Sequence, residues 1–372
     1  MDSETITETQ SRISDEAVNS NSIKISPVGS LLYSFKLSVG KVAFAGVDLY
    51  TNEAIASFHP SPKTDLRFFY YALPDYLWRY SEENIYGAKL LNQERIKNAR
   101  LAMPPPAEQR RIAGYLDEAT GQVDRLVALR RRQMELLRER RAALIQKAVT
   151  RGLNANASFK DSGLPWLGQI PKHWEVKRLK HIARFVQTGG TPPSANLDYY
   201  DDNGMDWYGP GDFAGALQLG ASTRRISEAA IRDGYADAYE PPVILIVGIG
   251  ASVGKTGLSL QRCFTNQQVN AIGLRAENSA VFFANFLAAY SNIIAANANH
   301  STLPIFNQTQ TRSFPVAVPP SPEQVKIVEF IQQEETRVDR LLSAYTRQLE
   351  LLTEYRAALI HEYVTGQRAV PN

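Results

Sequence analysis

The chain has 372 residues, 44% of them hydrophobic and 21% charged, which is material for two or three globular domains with their own cores. A net charge of +3 and a pI of about 8.8 permit contact with nucleic acid without requiring it. The single cysteine, Cys263, excludes an internal disulfide, the polar start MDSETITETQS is unlike a signal peptide, and no apolar run approaches the ~20 residues of a membrane span, so a cytoplasmic protein is expected.

Residues 1–102 read as a globular module of mixed α and β structure. The runs Leu31–Phe35, Val42–Ala45 and Glu53–Ser57 are apolar, short and bounded by Gly, Asn and Asp, as strands are. FFYYALPDYLWRY (68–80) reads as a helix. Lys36 and Lys41 are its candidate DNA-contacting cations.

Residues 103–153 read as a long helix. Apolar side chains recur at Ile112, Leu116, Val123, Val127, Met134, Leu137, Leu144 and Ala148, in steps averaging about 3.5, the period of a coiled-coil seam. Arg130 interrupts that seam. The remaining surface is basic, with Arg125, Arg130, Arg131, Arg132, Arg138, Arg140, Arg141 and Lys147; Glu135 and Glu139 interleave, which favours a solvated face over a phosphate-binding one.

Residues 154–317 read as a second, complete module. VILIVGIGASVGKTGLSL followed by CFTNQQVNAIGLR alternates strand and turn, and VFFANFLAAYSNIIAANA (281–298) reads as a helix. GIGASVGKT (248–256) fails the phosphate-loop spacing, and its sister SFKLSVGKV (34–42) has no leading glycine. A tight turn with an outward lysine, Lys41 in one copy and Lys255 in the other, fits better. Five histidines lack metal-ligand spacing, so no metal site and no catalytic residue is expected. Cys263 faces an apolar counterpart, Leu49, and reads as core. Asp201, Asp202 and Asp206 read as a polar loop rather than a carboxylate site. Candidate DNA contacts are the loops Thr188–Pro193 and Tyr208–Phe213, with Thr188, Thr191, Tyr208, Arg224, Arg225 and Lys255. Asn266 with Gln267, and Asn307 with Gln308, of which Asn266 and the second pair recur in the first copy, suit structural hydrogen bonds at least as well as base readout.

Residues 318–372 read as a second long helix. Ser321 can cap it, Pro322 fits the first turn, and Gln324 stands where a capping box places its reciprocal partner. Its seam is Ile327, Ile331, Val338, Leu342, Tyr345, Leu349, Leu352, Leu359 and Tyr363, and Gly366 ends it. The two helix segments are copies. Residues 103–150 and 318–365, shifted by 215 without a gap, agree at 22 of 48 positions. The correspondence continues upstream through SVGK, Thr51-Asn52, Phe68-Phe69 and Arg12-Ile13-Ser14, while residues 154–223 have no counterpart in the first copy. Each helix is roughly 65 Å long and cannot bury its stripe alone. An antiparallel pair within the chain, with pseudo-two-fold symmetry, is favoured over dimerisation between chains. The fold class is α+β: two globular mixed modules joined by two long helices packed as an antiparallel coiled coil.

PPPAEQRRIAGYLDEAT and PPSPEQVKIVEFIQQEE open the helices, with ELLRERRAALI and ELLTEYRAALI inside them. GLPWLGQIPKHWEVKRLK, with Pro171, His173 and Trp174, opens the full module, and SFKLSVGKVAF and LYTNEAI lie in the first. In these motifs the chain resembles the DNA specificity subunit of type I restriction-modification systems over nearly its whole length. The resemblance implies a non-catalytic protein. Its modules would be target-recognition domains, each reading half of a split site in double-stranded DNA. Its helices would set the spacer and dock two modification (adenine methyltransferase) subunits, and restriction subunits would join that core. It also implies no cofactor in this chain: S-adenosylmethionine belongs to the modification subunit, ATP and Mg to the restriction subunit. That family has two complete recognition domains, so the first is expected to be truncated at its N-terminal side. The competing reading is a coiled-coil interaction scaffold that no longer reads DNA.

Overall fold

The computed structural model describes residues 3–9, 11–21, 23–36, 38–83, 89–213, 215–235, 237–300 and 303–371. Two helices dominate, Pro106–Arg151 and Ser321–Val364. The chain divides into two compact units, Met1–Gln133 with Ser343–Asn372, and Met134–Leu342. Each long helix therefore gives one half to each unit.

In the first unit the strands Thr5–Ile6, Val42–Ala45, Leu31–Ser34 and Ile55–Phe58 form one sheet in that spatial order. The first pair is parallel and the others are antiparallel. The helix Leu66–Trp78 starts where the Asp65 carboxylate accepts the amides of Arg67 and Phe68, satisfying two of the donors a helix start leaves free. Leu31, Tyr33, Phe68 and Leu73 share one core with Ile112 and Leu116 of the first long helix and Leu359 and Tyr363 of the second.

The second unit repeats this plan. Its main sheet runs Ala183–Thr188, Val269–Leu274, Val243–Val247 and Thr256–Ser259, all antiparallel. VILIV is buried throughout, as a β-branched run in a central strand should be. The apolar stretch after Ser279 forms two helices, Ala280–Ala289 and Ser291–Ala296, rather than the single one expected. Smaller sheets pair Tyr200–Tyr208 with Arg225–Ile226 and Phe264–Thr265, and Glu175–Arg178 with Pro315–Val318. Trp174 is fully buried; its Nε1 donates to the Glu323 carboxylate at 3.0 Å, and His173 Nε2 meets the same oxygen at 2.7 Å.

The helix halves pair antiparallel within each unit. In the first unit Arg356 Nε donates to Asp124 at 2.9 Å, and the Arg130 guanidinium lies 5.0 Å from the Tyr345 ring centre. In the second unit Arg141 Nη1 donates to Asp339 at 2.8 Å. Asp124 and Arg141 are the repeat counterparts of Asp339 and Arg356, so one ion pair is made twice. Exposed pairs like these contribute only ~0–1 kcal/mol each, and they act mainly to fix register. The stabilisation comes from the seam: Ile112, Leu116, Val123, Met134, Ala148, Ile327, Ile331, Val338, Leu359 and Tyr363 are buried, and Val127, Leu137, Leu144, Leu342, Tyr345, Leu349 and Leu352 are half-buried. Two arginines read as part of a solvated basic face, Arg130 and Arg141, are instead used inside the pair, one on a ring and one on a carboxylate.

Gln324 does not complete a capping box. The second long helix starts at Ser321, and the carbonyl of the preceding Pro320 accepts the amides of Glu323 and Gln324, so Ser321 is the first helical residue and not the cap. The buried Gln324 side chain instead takes the Ser279 amide at 2.8 Å and gives a hydrogen bond to the Pro319 carbonyl at 2.9 Å. Gln109 does the same in the first copy, taking the Asp65 amide at 2.8 Å and donating to Pro104 at 2.8 Å. Each glutamine thus ties the start of a long helix to the start of its module helix.

The copies differ on one side of the sheet. Val269–Leu274 carries Ala183–Thr188 on its outer edge, and Pro315–Val318 pairs with Glu175–Arg178. Their counterparts, Ile55–Phe58 and 100–103, have no such partners among the described residues, and 100–103 is not a strand. The upstream gap is smaller than the sequence comparison indicates. Phe44 donates its amide to the Glu4 carbonyl just as Leu258 donates to Leu217, so Glu4–Ile6 matches Leu217–Leu219. The stretch without a counterpart therefore ends before Leu217, not at Thr223.

The glutamine ties carry a stability prediction. Gln109→Ala or Gln324→Ala each removes the partner of a part-buried amide and of a carbonyl, part-buried at Pro104 and buried at Pro319, at up to about 1–3 kcal/mol per group. Urea denaturation should show a loss of that order for either variant; a loss below about 0.5 kcal/mol would show that water or a neighbour replaces the side chain.

Candidate nucleic-acid interface

Polar side chains converge on one face of the second unit. Gly189 and Gly190 let the loop after Ala183–Thr188 pass tightly over its neighbours: a Cβ on Gly189 would lie 1.8 Å from the Thr265 carbonyl oxygen. Thr188 at the end of the strand is hydrogen-bonded by the Gln308 amide, and Thr191 in the loop donates to Gln267. A cleft of about 290 Å³ lies between them, lined by Thr188, Gln267, Gln268, Asn270, Phe306 and Gln308. Its floor is fixed by Asn270, whose amide donates to the Phe306 carbonyl at 2.9 Å and to Thr311 at 3.0 Å. The cleft presents amide and hydroxyl groups, which can both donate to and accept from a base edge.

Trp207, buried, and Tyr200, half-buried, hold the loop that follows Ala183–Thr188. Trp207 Nε1 donates to Gly190 and the Tyr200 hydroxyl to Pro192, so the loop is pinned to both rings. Arg224 is exposed and lies over them. Arg225, the first residue of its strand, is consumed internally: its Nε donates to Asp206 at 3.2 Å and its Nη1 to the Asp202 carbonyl at 3.1 Å. Asp206 also receives the Ser222 amide and hydroxyl, so the aspartate is a structural hub.

Tyr208 is not a surface contact. It is 2% exposed and its hydroxyl donates to Gly220 at 2.7 Å; burial pushes its pKa up to about 12. It sits in a core with Phe213, Tyr239 and Cys263. Lys255 is exposed where the turn from Val243–Val247 meets Thr256–Ser259, its carbonyl accepting the Val247 amide at 2.9 Å. That turn depends on Gly254, whose φ is +89° and where a Cβ would strike the Ser291 carbonyl at 2.3 Å. The phosphate-loop look-alike is thus the tip of a β-hairpin. In the first unit Gly40, φ +93°, makes the same turn and the Lys41 amide donates to Ser38 as that of Lys255 does to Ser252. Lys36 forms a surface ion pair with Glu53 at 3.6 Å.

The repeated asparagines are structural. Asn52 and Asn266 each accept the amide two residues on, at 3.1 and 2.9 Å, and Asn92 and Asn307 each cap a short helix. Gln267 and Gln308, their neighbours, point into the cleft instead. Repetition alone could not separate the two roles; an exposed glutamine beside a turn-forming asparagine was the only available signal.

No group of three His, Cys, Asp or Glu side chains able to hold a metal is found among the described residues, and no helix is long and apolar enough to cross a membrane. Cys263 is fully buried, and burial pushes its thiol up to about 11. Folding therefore favours the protonated thiol. The associated stability is whole at neutral pH and is lost as pH rises from the ordinary thiol range towards 11. Native protein should resist alkylation at pH 8 while unfolded protein reacts, and Cys263→Ala should flatten the alkaline fall in stability; rapid labelling of the native chain would contradict the assignment to the core.

Comparison with known proteins places this geometry. The chain is similar to the type I restriction enzyme MjaIX specificity subunit of Methanocaldococcus jannaschii, 22% identical over 369 residues, covering 96% of this chain and 82% of that one. It is 28% identical to the putative MjaX specificity subunit of the same organism over 123 residues, which is 33% of this chain but only 27% of that relative. Among solved structures, a chain from a study of complex assembly and conformational transition of the type I R-M system matches with a TM-score of 0.72 at 17% identity, over 93% of this chain and 84% of that one. The HsdS subunit from Thermoanaerobacter tengcongensis matches with a TM-score of 0.56 at 18% identity, over 93% and 83%. At such identities these two likenesses establish the fold. The family model described as type I restriction modification DNA specificity domain matches residues 3–133 and 171–351, well over half of the chain. The chain belongs to that family of type I specificity subunits.

Proposed function

We propose that this chain is the DNA-reading, non-catalytic subunit of a type I restriction-modification complex, with each module directed at one half of a bipartite site. The observation that carries this reading is the internal duplication: two copies of a module tied by a buried glutamine to a long helix, and two helices paired antiparallel by the same ion pair made twice. A duplicated reader suits a site in two parts. The paired helices would act as the spacer between the half-sites. Lys255 and the cleft around Thr188, Gln267 and Gln308 supply phosphate and base-edge contacts in the second module; Lys41 occupies the matching turn in the first.

The long helices also support docking of partners. Leu126 and Leu136 of the first helix and their repeat counterparts Leu341 and Leu351 of the second are 37–48% exposed. Leu126 and Leu351 line one groove with Leu352 and Tyr355. Apolar side chains held in water at the same positions of both copies suit two copies of one partner. These would be the modification subunits, which carry S-adenosylmethionine and methylate adenine; restriction subunits using ATP and Mg would add to that core.

Co-expression with a methyltransferase subunit of the same system tests this. A stable complex with two such subunits is expected, weakened by Leu126→Glu with Leu341→Glu. Its DNA affinity should fall steeply as salt rises, and Lys255→Ala should lower affinity about equally for all sequences. A complex that forms but shows no sequence preference would leave only an interaction scaffold; no complex at all would overturn the assignment.

A further inference from the structure

Arg224 differs from every other basic residue of the second module in how it is held. Its guanidinium carbon lies 4.7 Å from the centre of the Tyr200 ring and 4.9 Å from that of Trp207. Both rings are themselves fixed, Trp207 by its bond to Gly190 at 3.0 Å and Tyr200 by its bond to Pro192 at 2.7 Å. The backbone is fixed too: the Arg224 carbonyl accepts the Trp207 amide at 3.1 Å and the Ser222 hydroxyl at 2.5 Å. Asp206, on the strand paired through Arg225, is taken up by Ser222 and Arg225. No carboxylate pairs with Arg224 among the described residues, and it is exposed.

From this arrangement, and resting on the DNA-reading role proposed above, we infer that Arg224 is a specificity-determining residue that reads a guanine in the half-site of the second module. A phosphate contact needs only a mobile positive charge, and Lys255 provides one. Two anchored rings inclined at 67° to each other hold the guanidinium and limit its movement, while the side chain stays exposed. A guanidinium so held can make two parallel hydrogen bonds to O6 and N7 of guanine, the acceptor pair that marks this base in the major groove. The rings also lower the ordering cost, because the fork is immobilised before DNA arrives. Trp207 is pinned to the loop that carries Thr191, and Thr191 is bonded to Gln267, so one loop joins the rings under the arginine to the polar cleft that Gln267 lines.

The test uses the full chain in complex with its methyltransferase subunits and a duplex library randomised over the second half-site. Wild type should select guanine at one position. Arg224→Ala should lose roughly 5- to 150-fold of that preference, at that position alone, with the salt dependence of binding nearly unchanged. Arg224→Lys keeps the charge and should not restore the preference. Loss of affinity spread evenly over all sequences, with the salt slope reduced by about one, would make Arg224 a phosphate contact and overturn the inference while leaving the DNA-reading role intact. An unaltered selection would overturn it as well. Absence of any sequence preference in the wild-type complex would instead sink the DNA-reading role, and this inference with it.

Discussion

A helix whose apolar side chains recur every three or four residues over more than forty positions carries a stripe that only another helix can cover. This chain meets the constraint by writing the helix twice and pairing the copies antiparallel. The seam residues are buried or half-buried along both helices. The register is marked by Asp124 with Arg356 in one unit and Arg141 with Asp339 in the other. In each unit the same two helix halves close the module core, so Leu116 and Leu359 stand in the first core and Ile327 and Ile331 in the second. The modules are not beads on a linker; each is completed by the helix pair.

Two buried glutamines translate that pairing into module position. Gln109 and Gln324 each bond the residue that begins the module helix and the proline carbonyl just before the long helix. A side-chain amide suits this joint because it donates and accepts at once, and both groups it meets are backbone atoms that burial would otherwise orphan. Above this shared frame the copies diverge. The second carries Ala183–Thr188 on its sheet edge and, beyond it, the glycine-rich loop, the polar cleft and the aromatic platform under Arg224. The edge strand, the glycine-rich loop and the Tyr200 and Trp207 rings lie outside the repeat, whereas Arg224, Lys255, Gln267 and Gln308 stand on its segments.

The scaffold was legible because periodicity and duplication are local signals. The seam, the Gly40 and Gly254 turns and the core placement of Cys263 follow from spacing and from comparing one copy with the other. What was not legible depends on partners distant in sequence. Gln324 stands three residues after a serine, the pattern of a capping box, but its partner is Ser279, 45 residues away. Arg224 and Arg225 are indistinguishable as adjacent letters. Arg224 lies in the bend before the strand, over two rings, whereas Arg225 begins the strand and pairs with Asp206. Tyr208 sits in a loop-like stretch beside Gly209 and Pro210, yet its parallel pairing with Thr265 carries it into the core. The expected 70-residue gap was overstated because Glu4–Ile6 matches Leu217–Leu219 through backbone hydrogen bonds, with no side-chain identity to reveal it.

The most direct measurement of the central claim, that the duplicated scaffold presents two readers to one DNA site, is a map of methylated adenines in the source genome with this chain present and deleted. The account predicts a bipartite motif, two short sequences separated by a fixed spacer, that disappears on deletion. An unchanged methylation map would contradict it.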